Sequence, residues 1–87
     1  MLRIQREANG QVMLRISGRL DAEHLPELKK LLQSEEVGRP IVLDLRDLTL
    51  VDQYVVTFLR QSDSNGIKLE NCPPYISEWI KRQRDGQ

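Results

Sequence analysis

Cysteine and histidine each occur once in these 87 residues, as Cys72 and His24. A single cysteine closes no internal disulfide and fits a reducing compartment. A single histidine supplies little acid–base chemistry, and no nucleophile–base pair or metal-ligand spacing accompanies it, so the expectation is not an enzyme and no cofactor. Aromatic residues make up only 5% of the chain. Neither sign of charge is in excess: 13 Lys and Arg stand against 13 Asp and Glu. Phosphate binding needs a positive excess, so nucleic acid is not expected as the main partner. No apolar run approaches the ~20 residues that span a bilayer, and the first residues are too polar for a signal peptide. The expectation is a cytoplasmic protein with no membrane insertion.

What is present suits one small domain. The hydrophobic share is 39% and the charged share 30%, ordinary for a globular chain. No linker, repeat or low-complexity block divides it, so residues 1–87 are read as a single domain, with the polar tail 81–87 frayed. Leu2 and Ile4, then Val12, Leu14 and Ile16, alternate with polar residues at the period of a half-buried strand. Asn9-Gly10 between them favours a tight hairpin turn, and Gly18 breaks the second strand.

Leu25, Leu28, Leu31 and Leu32 then recur at helical spacing, with Pro26 in the first turn, where its missing N–H costs little. Asp21 either caps this helix or lies just before it, and Val37-Gly38 ends it. Ile41 to Leu45 is a continuous apolar strand interrupted only by Asp44, a charge that needs a hydrogen-bonding partner there. Strand, helix, strand implies a parallel pair. Ile67 to Leu69 is a short strand, and Pro73-Pro74 starts a final helix whose inner face carries Tyr75, Ile76, Trp79 and Ile80.

The segment from Gln53 to Gln61 is ambiguous in composition, because Val55, Val56 and Thr57 are β-branched and suit a strand equally. Asp52 tips it to helix, since its carboxylate can accept unpaired first-turn amides. Val55, Phe58 and Leu59 fall on one face, and Ser62 to Gly66 is rich in helix-stopping residues. The fold class is therefore α/β, a mixed four-stranded sheet with helices in the order β-β-α-β-α-β-α. Three loops reach the carboxyl edge of such a sheet, where binding sites tend to lie: residues 18–24, 46–54 and 71–74.

The order Gly18-Arg19-Leu20-Asp21, then Val42-Leu43-Asp44-Leu45, Leu48 to Asp52, Gly66 and Asn71 to Pro74 resembles the STAS domain, the fold of bacterial anti-sigma-factor antagonists. In phospho-regulated members an Asp-Ser-Ser-Gly stretch begins the central helix, and a kinase-type anti-sigma factor phosphorylates the first serine and so breaks the complex. The resemblance places Asp52 on that Asp, Gln53 on the acceptor serine, Tyr54 on the second serine and Val55 on the glycine. The motif is degenerate: Gln53 has no hydroxyl to modify and no charge to mimic phosphate, so no phosphorylation switch is expected there.

The resemblance implies a non-catalytic interaction domain, with Asp21, Thr49, Asp52, Gln53 and Tyr54 as the partner-binding set. The expected partner is a kinase-type anti-sigma factor, a serine-kinase-like ATPase. The alternatives are a small STAS subunit of a lipid or anion transport complex, or a nucleotide-sensing domain that binds weakly. No glycine-rich phosphate cradle supports the last.

Plainer roles stand beside each of these. Asp52 and Asp21 serve equally as caps or turn residues, and Tyr54 either anchors an interface or covers the edge of the core. Asp21, His24 and Asp52 make a weak metal set without a recognisable ligand spacing. Cys72 reads as a small apolar filler, and Lys81, Arg82 and Arg84 suit the negative end of the last helix.

Overall fold

The computed structural model describes residues 2–35 and 38–85; Val37, expected to help end the first helix, and Gly86 and Gln87 of the tail lie outside these. Strand β1 (Arg3–Ala8) turns into β2 (Val12–Leu20), and the two pair antiparallel from Arg3↔Ser17 to Ala8↔Val12. Their link is a three-residue loop, with Gly10 at φ 82 and the Asn9 amide donating to the Gln11 carbonyl at 2.9 Å. The left-handed φ is the reason for glycine there. Helix α1 (Leu25–Gln33) follows, with Pro26 in its first turn. Next come β3 (Ile41–Asp44), β4 (Leu48–Val51), α2 (Gln53–Ser64), β5 (Lys68–Glu70) and α3 (Pro74–Asp85).

The sheet runs β1-β2-β3-β5, with β3 parallel to both β2 and β5. β4 also pairs parallel with β2, beyond the end of β3, which makes five strands among the described residues rather than the expected four. Two expectations fail here for one reason. Gly18, at φ 89, does not end β2; the ladder shifts register between Gly18 and Arg19, and the strand continues to Leu20. That extension needs a partner after β3 stops, and Leu48 to Val51 supplies it. The piece is only four residues long between Asp47 and Asp52, so its acidic flanks read as a turn.

Val12, Leu14, Ile16 and Leu20 of β2 are fully buried, as are Leu28, Leu43, Leu45, Val55, Val56, Leu59 and Ile76. They form one aliphatic cluster, with Phe58 and Trp79 packed half-buried against it. Each fully buried leucine contributes roughly 1.5–3 kcal/mol relative to an exposed one. α2 presents Val55, Val56, Leu59 and Ser62 inward and ends at Ser64, within the stretch from Ser62 to Gly66 expected to stop it. In α3, Ile76 and Ile80 face the core as expected, but Tyr75 does not; it stays exposed and its hydroxyl donates to the Thr49 carbonyl at 2.8 Å. The same helix continues through Asp85, so residues 81–85 of the expected tail are helical.

Candidate partner-binding site

Asp52 is the N-cap of α2, in extended backbone at φ −114 and ψ 179. One carboxylate oxygen, Oδ1, accepts the Val55 amide at 3.0 Å, which satisfies an orphan donor of the first turn. The other, Oδ2, accepts the Ala22 amide at 2.8 Å. One side chain thus ties the helix start to the loop after β2, thirty residues earlier in the chain. The cap was legible in the sequence, whereas the bond to Ala22 was not, because nothing local announces it.

Gln53 and Tyr54 open the helix and are exposed, Tyr54 to 60%. The Gln53 carbonyl accepts the Thr57 hydroxyl at 3.0 Å, so its backbone is fixed while its amide side chain stays on the surface. Tyr54 lines a groove that also includes Leu25 and Lys29 of α1, Phe58 of α2 and Gln83 of α3. Lys29 Nζ lies 5.8 Å from the centre of the Phe58 ring, within range of a cation–π contact. Lys29 is the only charged residue lining this groove among the described residues. The sequence reading missed Lys29; its place four residues after Leu25 on α1 was the available signal.

Thr49 sits in β4 and its polar groups are engaged in the scaffold. Its hydroxyl donates to the Gly18 carbonyl at 2.8 Å, and its own carbonyl accepts from Tyr75. Next to it Leu50 is 58% exposed, an apolar surface residue that the acidic-turn reading hid.

Asp21 lies before α1 rather than capping it; the N-cap is His24, which makes no side-chain cap bond. Asp21 Oδ1 accepts His24 Nδ1 at 2.7 Å and the His24 amide at 3.1 Å, while Oδ2 is 3.2 Å from Arg19 Nε. The hydrogen bond to His24 holds the Asp21 carboxyl below its usual range, against a smaller opposing effect of burial. The same bond raises His24. Asp21, Glu23 and His24 bring ligand-type atoms within 4.8 Å of one another. Asp52 does not join them, since both its oxygens face amides, and the Arg19 guanidinium stands where a cation would approach Asp21.

Asp44 braces the neighbouring turns. Burial, with only 6% of the residue exposed, would push its carboxyl up. The Arg46 amide at 3.1 Å, the Asn71 side chain at 3.2 Å and Arg15 Nε at 3.5 Å outweigh that and leave it lowered. Asn71 itself sits at φ 54. Burial raises the Cys72 thiol, which suits a filler and not a nucleophile.

The structure therefore ties Asp52, and with it the helix start carrying Gln53 and Tyr54, to the Asp21 loop through Ala22, whereas Thr49 bonds to Gly18 and Tyr75 instead. No helix among the described residues is long and apolar enough to cross a membrane. Comparison with curated proteins finds no match. The family described as "Mlab, STAS domain" matches residues 4–81.

Proposed function

The chain belongs to the STAS domain family, a regulatory family of non-catalytic protein-interaction domains, and from that premise we propose that it docks onto a protein partner through the start of α2. Gln53 and Tyr54 make the contact and Asp52 holds them in place. One observation carries this reading: an exposed tyrosine and an uncharged amide stand on a helix start anchored at both carboxylate oxygens of its cap. Exposed tyrosines are among the side chains that most often anchor interfaces. The groove beside Tyr54, where Lys29 is the one charged lining residue among those described, extends the contact area along α2. Asp21 contributes by shaping the adjoining loop, and Thr49 by fixing β4.

Two settings in the cytoplasm fit such a module. In one, the partner is a kinase-type anti-sigma factor and the chain is an antagonist without a switch. In the other, the chain is a small permanent subunit of a lipid or anion transport complex. Gln53 favours the second, because a serine kinase would find no hydroxyl at that position. The test is capture of the tagged protein from its native cells with mass spectrometry, beside Gln53→Glu and Tyr54→Ala. Transport subunits recovered with the wild type and lost with Tyr54→Ala support the permanent-subunit reading. A kinase-type anti-sigma factor recovered in that pattern supports the antagonist reading. Recovery insensitive to both substitutions refutes docking at the α2 start.

A further inference from the structure

We propose that the free edge of β1 is the contact by which two copies of this chain pair into one continuous antiparallel sheet. β1 ends the strand order and, among the described residues, pairs only with β2. Which of its backbone groups are free follows from the hydrogen bonds of β2. The amides of Val12 and Gly18 donate away from β1, to the Pro40 carbonyl at 2.9 Å and the Asp47 carbonyl at 3.0 Å. Alternation along the strand then turns Met13, Arg15 and Ser17 towards β1. Through the register these face Glu7, Gln5 and Arg3, and the Ser17 hydroxyl reaches the Arg3 carbonyl at 3.5 Å. Ile4, Arg6 and Ala8 accordingly point their N–H and C=O groups outward, a template for another strand.

The side chains select both the occupant and its register. Arg3 and Glu7 are exposed, and neither has an ion-pair partner among the described residues. In an antiparallel pairing of two β1 strands centred on Gln5, Arg3 of each copy stands opposite Glu7 of the other. These are the non-hydrogen-bonded positions, where facing side chains come closest. The outward backbone groups of Ile4 then meet those of Arg6 in the second copy, so charge pairing and hydrogen bonding agree on one register. Centring on Arg6 instead would set Arg6, already held by Glu35 at 2.8 Å, against its own copy, and would leave Arg3 opposite Asn9 and Glu7 opposite Gln5, so no opposite charges would face each other. Charges on an edge strand usually prevent association; here the sequence Arg3-Ile4-Gln5-Arg6-Glu7 is complementary to its own reverse. The contact uses neither Gln53 nor Tyr54, so it stands or falls apart from the docking reading.

The test is sedimentation equilibrium over a concentration series of the full chain, for the wild type, Arg3→Glu, Glu7→Arg and the double swap. Both single reversals place like charges opposite each other and should raise the dimer dissociation constant about tenfold, and the swap should restore it. Amide exchange locates the contact: Ile4, Arg6 and Ala8 should gain protection as concentration rises, while Arg3, Gln5 and Glu7 stay protected throughout. A chain that remains monomeric at the highest concentration reached overturns the proposal. So does a dimer that ignores the reversals, or one that leaves the outward amides unprotected.

Discussion

Removing the Asp52 carboxylate should loosen two elements at once, and the two contributions can be separated. Asp52→Ala loses the cap bond to the Val55 amide, a loss of about 1 kcal/mol. It also loses the bond to the Ala22 amide. A charged acceptor makes such bonds stronger than neutral ones, but the donor is on the surface, so about 1–1.5 kcal/mol is the appropriate figure. The sum is about 2–2.5 kcal/mol. For a domain of this size each kcal/mol moves Tm by about 4–8 °C, so the fall should be about 8–20 °C. Asp52→Asn separates the parts. Its single carbonyl oxygen can face Val55 or Ala22 but not both, and its NH2 group then points at the other amide. It should therefore lose about half as much, since asparagine caps a helix as well as aspartate. Urea unfolding followed by circular dichroism and Trp79 fluorescence gives the three stabilities. Asn equal to wild type would remove the bond to Ala22 from the account; Asn equal to Ala would remove the cap.

Two further substitutions probe the scaffold behind the site. Asn71→Ala should cost about 2–3 kcal/mol, from the lost bond to the Asp44 carboxylate and from placing a Cβ residue other than asparagine at φ 54. Asn71→Gly, free of the second penalty, should cost less; equal losses in urea melts would show that backbone conformation plays no part. The Asp21–His24 pair gives a pH dependence whose sign is fixed by the shifts. His24 is raised above 6.5, so its contribution is complete below that pH and is lost as pH rises through the higher folded value. Asp21 is lowered from 3.8, so its contribution is present above that pH and is lost as pH falls through the lower folded value. The urea midpoint of the wild type should therefore decline above about pH 6.5, and His24→Asn should abolish that decline. Parallel pH profiles for the two proteins would refute the pairing.

The strands and helices with a clean period were legible from residues alone. Val12, Leu14 and Ile16 alternate and are buried; Leu28 and Ile76 fall on helical inner faces and are buried. Asp52 announced the start of α2 through its chemistry, and that start falls at Gln53. What escaped the sequence depends on partners distant in the chain. β4 is a strand because the far end of β2 lacks a neighbour, a condition absent from Leu48 to Val51 themselves. Gly18 looked like a stop because a positive φ usually ends a ladder, yet here the register shift absorbs it. Tyr75 has a helical spacing that suggests the core, but its hydroxyl finds the Thr49 carbonyl and keeps the ring outside. At the site, the exposed Gln53 and Tyr54 were readable from the cap, whereas the second bond of Asp52 and the groove containing Lys29 needed the folded chain.

The central claim is that a protein partner rests on the start of α2. The most direct measurement is the dissociation constant of the captured partner for purified wild type, Tyr54→Ala and Gln53→Glu, with Lys68→Ala on β5 as the control. The account predicts a loss of about tenfold or more for Tyr54→Ala, a smaller loss for Gln53→Glu, and wild-type affinity for the control. Wild-type affinity for Tyr54→Ala, in a protein whose melting temperature is unchanged, would contradict it.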